Sequence, residues 1–250
     1  MELLPKNHDI DDAAFRASKR IIYVHVPKAG GTSIWEMVSG SFRADQSQIC
    51  ALDSLTDPRS LLYIDPVRWS VEADEYARRI SPDLKYLQGH FPATRFLGRL
   101  EGFYFTWLRH PYQRALSHYF FWRTLPSEGH YIHDYVISND LSFDHFIELP
   151  LMRNLITRFF PDDSFWKLDF FGFQETFEAD WRALSVRLGL PLHEPRLSRV
   201  TSYPKELQHY LQCEATFKKF CHLNKEDMDL FWFAKELRDQ QIACGERDIC

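Results

Sequence analysis

Lys28-Ala29-Gly30-Gly31-Thr32-Ser33 sets a cation, paired glycines and paired hydroxyls between an apolar run and a helical pattern. The glycines let the backbone turn tightly and approach a ligand with no Cβ in the way. The N–H groups of 30–33 then face outward at a helix N-terminus, where unpaired donors and the helix dipole favour a phosphate. Lys28 adds positive charge, and Thr32 and Ser33 add hydroxyl donors. A strand-to-helix turn without a ligand needs none of these in combination. The Gly-Lys-Ser/Thr ending that serves Mg²⁺ and triphosphate in P-loop enzymes is missing, and no Asp ends the 103–108 run. A metal-dependent triphosphate enzyme is therefore disfavoured, and no metal site is expected.

A second group lies in LRHPYQRALSHYF, residues 108–120. Arg109 follows an apolar run. Ser117 falls two turns into the helix that begins at Pro111, with Arg114 one turn before it. A guanidinium and a hydroxyl aimed at one point make a second anion site. Together with the first loop, it suits a ligand with two separated phosphates. Gly89-His90 and Gln174-Glu175 follow two further apolar runs.

These groups need a scaffold that gathers them. The runs IIYVHV (21–26), KYLQ (85–88), FYFTWL (103–108) and LDFFGF (168–173) are rich in β-branched and aromatic residues and hardly alternate, as buried parallel strands do. Helical stripes lie between and after them. Ile34, Met37 and Val38 form one, and Tyr112, Ala115, Leu116, Tyr119 and Phe120 another. Phe177, Trp181, Leu184 and Leu188 end at Gly189, and Leu230, Ala234 and Leu237 give the last. Strands alternating with helices imply an α/β domain with a mainly parallel sheet. Ligands bind such sheets at the carboxyl ends of the strands, so the four motifs should converge. Segments 41–84 and 124–167, broken by prolines, read as inserts with sheet-capping helices that shape the substrate site.

Hydrophobic residues make up 45% and aromatics 16% of the 250 residues, enough for a sizeable core. A net charge of −5, from 30 basic and 35 acidic residues, argues against a general nucleic-acid binder. It leaves room for a local basic pocket. No stretch approaches the roughly 18 apolar residues of a membrane span, and the first residues are acidic where a signal peptide is basic. The expectation is a cytoplasmic chain, although a piece of an anchored protein would read the same way. The five cysteines, Cys50, Cys213, Cys221, Cys244 and Cys250, form no CxxC pair and read as free thiols; a Cys213–Cys221 bridge would require secretion.

PKAGGTS between strand and helix, followed by LRHPYQRALSHY, resembles the two cofactor loops of sulfotransferases that use 3′-phosphoadenosine 5′-phosphosulfate (PAPS). LQGHFPATRF, FFGFQETFEADWRAL, NLITR (154–158) and NKEDMDLFWFA (224–234) resemble segments of the carbohydrate branch, which includes the heparan and chondroitin sulfotransferases. The resemblance implies a P-loop-like three-layer fold, with an extension at 1–19, a single domain at 20–240 and a tail at 241–250. It implies a sulfuryl transfer from PAPS to an acceptor hydroxyl on a carbohydrate or glycan-like substrate, leaving adenosine 3′,5′-bisphosphate. Residues 28–33, Ala29 included, would hold the 5′-phosphate, and Arg109 and Ser117 the 3′-phosphate. Lys28 would stabilise charge on the bridging oxygen without a metal. His90 would be the base for the acceptor, since an imidazole titrates near neutral pH. Glu175 is an alternative base, with pairing to an arginine as the preferred role. His25 reads as a core residue of its strand, and His118 as structural on the Arg114 face. His130, His133 and His145 lie in the insert, within reach of substrate. Aromatics of the aromatic-rich segments, Tyr63, Trp69, Tyr76, Phe120, Phe121, Trp122, Tyr131 and Tyr135, could stack on a sugar or on another acceptor, or equally belong to the core.

The sequence departs from that pattern twice. Arg109-His110-Pro111 replaces the usual Arg-Asp-Pro, and Gln88 replaces a second histidine found in some relatives. A P-loop nucleotide kinase and a non-catalytic nucleotide-binding module on the same fold remain the alternatives. Oligomeric state is not legible.

Overall fold

The four apolar runs form parallel strands: β1 (Arg20–Val24), β3 (Tyr86–Gly89), β4 (Gly102–Leu108) and β5 (Phe170–Phe173). They are seen in a computed structural model that describes residues 20–42, 46–52, 74–75, 77–78, 80–127, 131–190 and 206–244. A fifth strand, β2 (Ile49–Leu52), lies in the 41–84 segment, for which the sequence suggests capping helices and no strand. It pairs in parallel with β3 and forms one edge of the sheet, whose order is β2-β3-β1-β4-β5. β1 lies between β3 and β4, with Val24 level with Gly89 on one side and Thr106 on the other.

Both faces of the sheet are covered, which is why these strands are apolar at almost every position. Ile22, Val24, Tyr104 and Leu108 point to one side, where they meet Phe231 and Ala234 of the last helix and Phe159 and Phe165 of short 3₁₀ turns. Ile21, Tyr23, Phe103, Phe105 and Trp107 point to the other. There they pack on α1 (Gly31–Ser39), through Ile34 and Val38, and on α5 (Phe177–Leu188), through Phe177, Trp181 and Leu184. The result is an α/β fold of three layers with an all-parallel five-stranded sheet.

The helix α2 (Pro111–Trp122) does not cover the sheet. It packs into a separate cluster with α3 (Tyr131–Ser138), α4 (Phe143–Phe146), α6 (Glu206–Gln212) and α7 (Glu214–Leu223). Tyr119, Val136, Phe146, Leu207 and Phe220 form its centre. The 124–167 segment thus supplies helices, but α3 and α4 pack on α2 rather than capping the sheet as expected. The last helix, α8 (Lys225–Ala243), ties the layers together. Its Arg238 Nε donates to Asp180 at 2.7 Å, in a pair 8% and 0% exposed. Asp180 also accepts the Phe173 N–H at 2.9 Å and the Thr176 hydroxyl at 2.7 Å.

Cys50, Cys213, Cys221 and Cys244 are free thiols. Among the described residues no helix is long and apolar enough to cross a membrane. The expectations for residues 1–19, Tyr63, Trp69, Tyr76, His130 and Cys250 fall outside the described residues.

Candidate active site

Parallel pairing puts the residues that follow β1, β3, β4 and β5 on one edge of the sheet. The loop after β1 turns on two left-handed residues, Lys28 (φ 68°) and Gly30 (φ 90°). Gly30 pays no steric penalty there; a lysine does, at about 1–2 kcal/mol, and such strain collects where the surroundings impose it. Gly30 is also the N-cap of α1, and its carbonyl accepts the Ile34 N–H at 3.1 Å. No side chain caps this end, so no serine or aspartate oxygen takes the first N–H groups of α1 from the N-cap position, the condition an anion at a helix N-terminus needs. Ala29 and Ser33 are buried and Thr32 is exposed.

The loop cannot be built from larger residues. A Cβ on Gly31 would lie 1.8 Å from His25 Nε2, and one on Gly30 would lie 2.6 Å from Gln174 Oε1. His25 lies one residue beyond β1, not inside it, and its ring wedges between the loop and the next strand. It stacks on Tyr23 at 5.2 Å and meets the His90 ring at 4.4 Å. His90, directly after β3, bonds through Nδ1 to the carbonyl oxygen of His25 at 2.8 Å. A carbonyl only accepts, so Nδ1 carries the proton and Nε2 is the basic nitrogen of the neutral ring. Gln88, two residues before His90, accepts the Tyr86 hydroxyl at 2.7 Å. A histidine from the neighbouring strand end lies beside His90 instead. Sequence reasoning missed this pair because His25 looked like part of an apolar run.

On the β4 side, His110 is engaged through both its backbone and its ring. The His110 N–H donates to Glu175 Oε1 at 2.7 Å, so Glu175 pins the start of α2 from the end of β5. That backbone contact is the ligation found for Glu175; the arginine pairing preferred from sequence is absent among the described residues. The His110 ring lies among Phe231 at 5.3 Å, Trp232 at 5.8 Å and Phe217 at 6.4 Å. Burial, with Lys235 adding to it, holds its pKa below the usual histidine value.

Arg109 is half-buried at the end of β4. Arg114 and Ser117 are 1% and 2% exposed on α2. Burial pushes the Arg114 guanidinium down to about 10; Asp227 opposes the shift and the charge of Arg109 adds to it. Asp227 is fully buried and accepts the N–H groups of Thr157 at 2.8 Å and Ile156 at 3.0 Å. His118 approaches Arg114 at 3.5 Å and packs on Trp122 at 4.5 Å, in keeping with a structural role. His133 is likewise buried, with Nε2 bonded to the Trp122 carbonyl at 3.0 Å. His145 is exposed and bonds Ser142 at 2.9 Å.

Lys28 bridges the two halves. Its Nζ lies 3.6 Å from the centre of the Phe121 ring. Phe121 is four residues beyond Ser117 and shares its helix face. The glycine loop therefore reaches the same face of α2 that carries Ser117. In a chain of net charge −5, Arg109 and Arg114 are close enough for their charges to interact, with the buried Asp227 beside Arg114. Among the described residues no group of three or more His, Cys, Asp or Glu is placed to hold a metal ion.

No family model matches the sequence, and no curated protein matches it. Among solved structures, the chain is similar to the mouse sulfotransferase SULT7A1 complexed with PAP, with a TM-score of 0.43 and 16% identity. The likeness covers 72% of this chain and 63% of that one, so the chain spans less than two thirds of that structure.

Proposed function

We propose that the protein is a sulfotransferase that moves a sulfuryl group from PAPS to a hydroxyl of a carbohydrate or glycan-like acceptor. The observation that carries this reading is the contact of Lys28 with Phe121, one helical turn from Ser117. It brings the loop suited to one phosphate to the helix face suited to another. A ligand with anions at both ends of a nucleoside fits that pair, as the resemblance of PKAGGTS and LRHPYQRALSHY implies.

In this reading Gly30, Gly31, Thr32 and Ser33, with Ala29, hold the 5′-phosphate through backbone N–H and hydroxyl donors. Arg109 and Ser117 hold the 3′-phosphate. The acceptor oxygen forms a bond to sulfur as the bond from sulfur to the bridging oxygen breaks. The acceptor proton passes to His90 Nε2, already the basic nitrogen because Nδ1 is committed to the His25 carbonyl. Negative charge builds on the departing phosphate oxygen, and the Lys28 ammonium offsets it. That stabilisation calls for no metal. Residues 20–240 act as one domain around this site.

Calorimetry with adenosine 3′,5′-bisphosphate against ATP plus Mg²⁺ tests the donor. Binding of the bisphosphate supports the reading, and tight binding of ATP–Mg²⁺ alone sinks it. An acceptor screen with labelled PAPS, repeated on Lys28→Ala and His90→Ala, tests the roles. Removing a general base lowers the rate about 10²–10⁴-fold; full activity in either variant removes that residue from the mechanism.

A further inference from the structure

Phe121 stands apart from the residues on either side of it. Phe120 and Trp122 are buried in the α2 cluster, at 6% and 1% exposure. Phe121 is only half-buried and at the edge of that cluster. An aromatic ring at that position gives up part of the burial that would stabilise the fold. What it gains is a cation over its face, Lys28 Nζ at 3.6 Å, well inside the range in which the ring quadrupole attracts an ammonium. Lys28 is constrained from its other end too, because its backbone is in the left-handed region. A long, flexible side chain is thus aimed at its root by the turn and held at its tip by a ring. A free lysine would lose rotamer entropy each time it met a ligand, and a lysine already held loses less.

We infer that Phe121 is a positioning residue for Lys28: its ring face holds the ammonium beside the turn of α2 that carries Ser117, pre-set for an anion shared by loop and helix. This rests on the proposed donor site for its ligand, but the contact itself does not. The contact needs an aromatic face, so Phe121→Tyr and Phe121→Trp keep it and Phe121→Leu loses it while leaving an apolar side chain on the helix.

Two readouts decide the matter on the full chain. The first is NMR of the protein with ¹³C-dimethylated lysines, the Lys28 signal being the one missing from Lys28→Arg. Expected is an upfield ring-current shift that disappears in Phe121→Leu and persists in Phe121→Tyr. The second is calorimetry with adenosine 3′,5′-bisphosphate in a double-mutant cycle. Phe121→Leu should weaken binding about 3–30-fold in the wild-type background, the range for a cation on an aromatic face. It should have no further effect in Lys28→Met, and Phe121→Trp should restore affinity. An unshifted Lys28 signal in the wild type, or an equal loss in both backgrounds, overturns the inference. A shifted signal in a protein that binds no bisphosphate supports the contact and overturns only the donor reading.

Discussion

His25 touches both Gly31 of the glycine loop and His90 at the end of the adjoining strand. Its Nε2 leaves no room for a methyl group on Gly31, and its carbonyl oxygen takes the His90 ring N–H at 2.8 Å. One residue therefore links the candidate phosphate loop to the candidate base, through its ring on one side and its backbone carbonyl on the other. Gly31→Ala should cost about 1–3 kcal/mol of stability, as overpacking does. In a His25→Ala background the same change should cost close to nothing, because the clashing ring is gone. Urea denaturation of the four proteins checks this. An equal cost in both backgrounds contradicts the wedge.

Asp180 is the hub that joins β5, α5 and α8. Asp180→Ala leaves the buried Arg238 Nε without its acceptor, with only the exposed Asp239, at 3.1 Å, as a carboxylate partner among the described residues, and the Phe173 N–H without its acceptor. Breaking a buried pair in this way costs about 3–5 kcal/mol. The expected outcome is a lower urea midpoint. Loss of less than about 1 kcal/mol would show that solvent replaces the aspartate.

His110 makes stability depend on pH. Burial, then Lys235, lowers its pKa below 6.5 in the folded protein. The unfolded chain therefore takes up the proton first. The contribution of this group is complete above about pH 6.5 and is lost as pH falls, by at most about 1.4 kcal/mol per pH unit. Phenylalanine suits the ring of Phe231, Trp232 and Phe217 around it. Melting curves between about pH 7.5 and pH 5 should be less steep in pH for His110→Phe than for the wild type. The same slope in both proteins assigns the acid sensitivity elsewhere.

Much of the fold was legible because its strands are covered on both faces. Continuous apolar runs such as FYFTWL need no partner information to be recognised, and parallel pairing then forces their trailing polar residues onto one edge. β2 escaped notice because Ile49-Cys50-Ala51-Leu52 is a short edge strand with only Leu52 fully buried. The arrangement within the site was less legible, since it rests on contacts between distant residues. The His25–His90 bond and the Glu175–His110 bond each span 65 positions. The run IIYVHV also masked the point where β1 ends; His25 is buried, as a core reading has it, but its contact with His90 does not show in the run. At His110 the ring joins an aromatic cluster, while the backbone N–H holds a carboxylate partner.

The central claim is that two anion sites, the 28–33 loop and Arg109 with Ser117, serve one nucleotide. Calorimetry with adenosine 3′,5′-bisphosphate and adenosine 5′-monophosphate, on the wild type and on Arg109→Ala, tests it most directly. Charge-assisted hydrogen bonds are each worth about 1.5–3 kcal/mol, so the bisphosphate should bind the wild type about 10–150-fold more tightly. In Arg109→Ala that advantage should shrink to a few-fold. Equal affinity of the wild type for the two nucleotides, or an advantage that Arg109→Ala leaves intact, would contradict the claim.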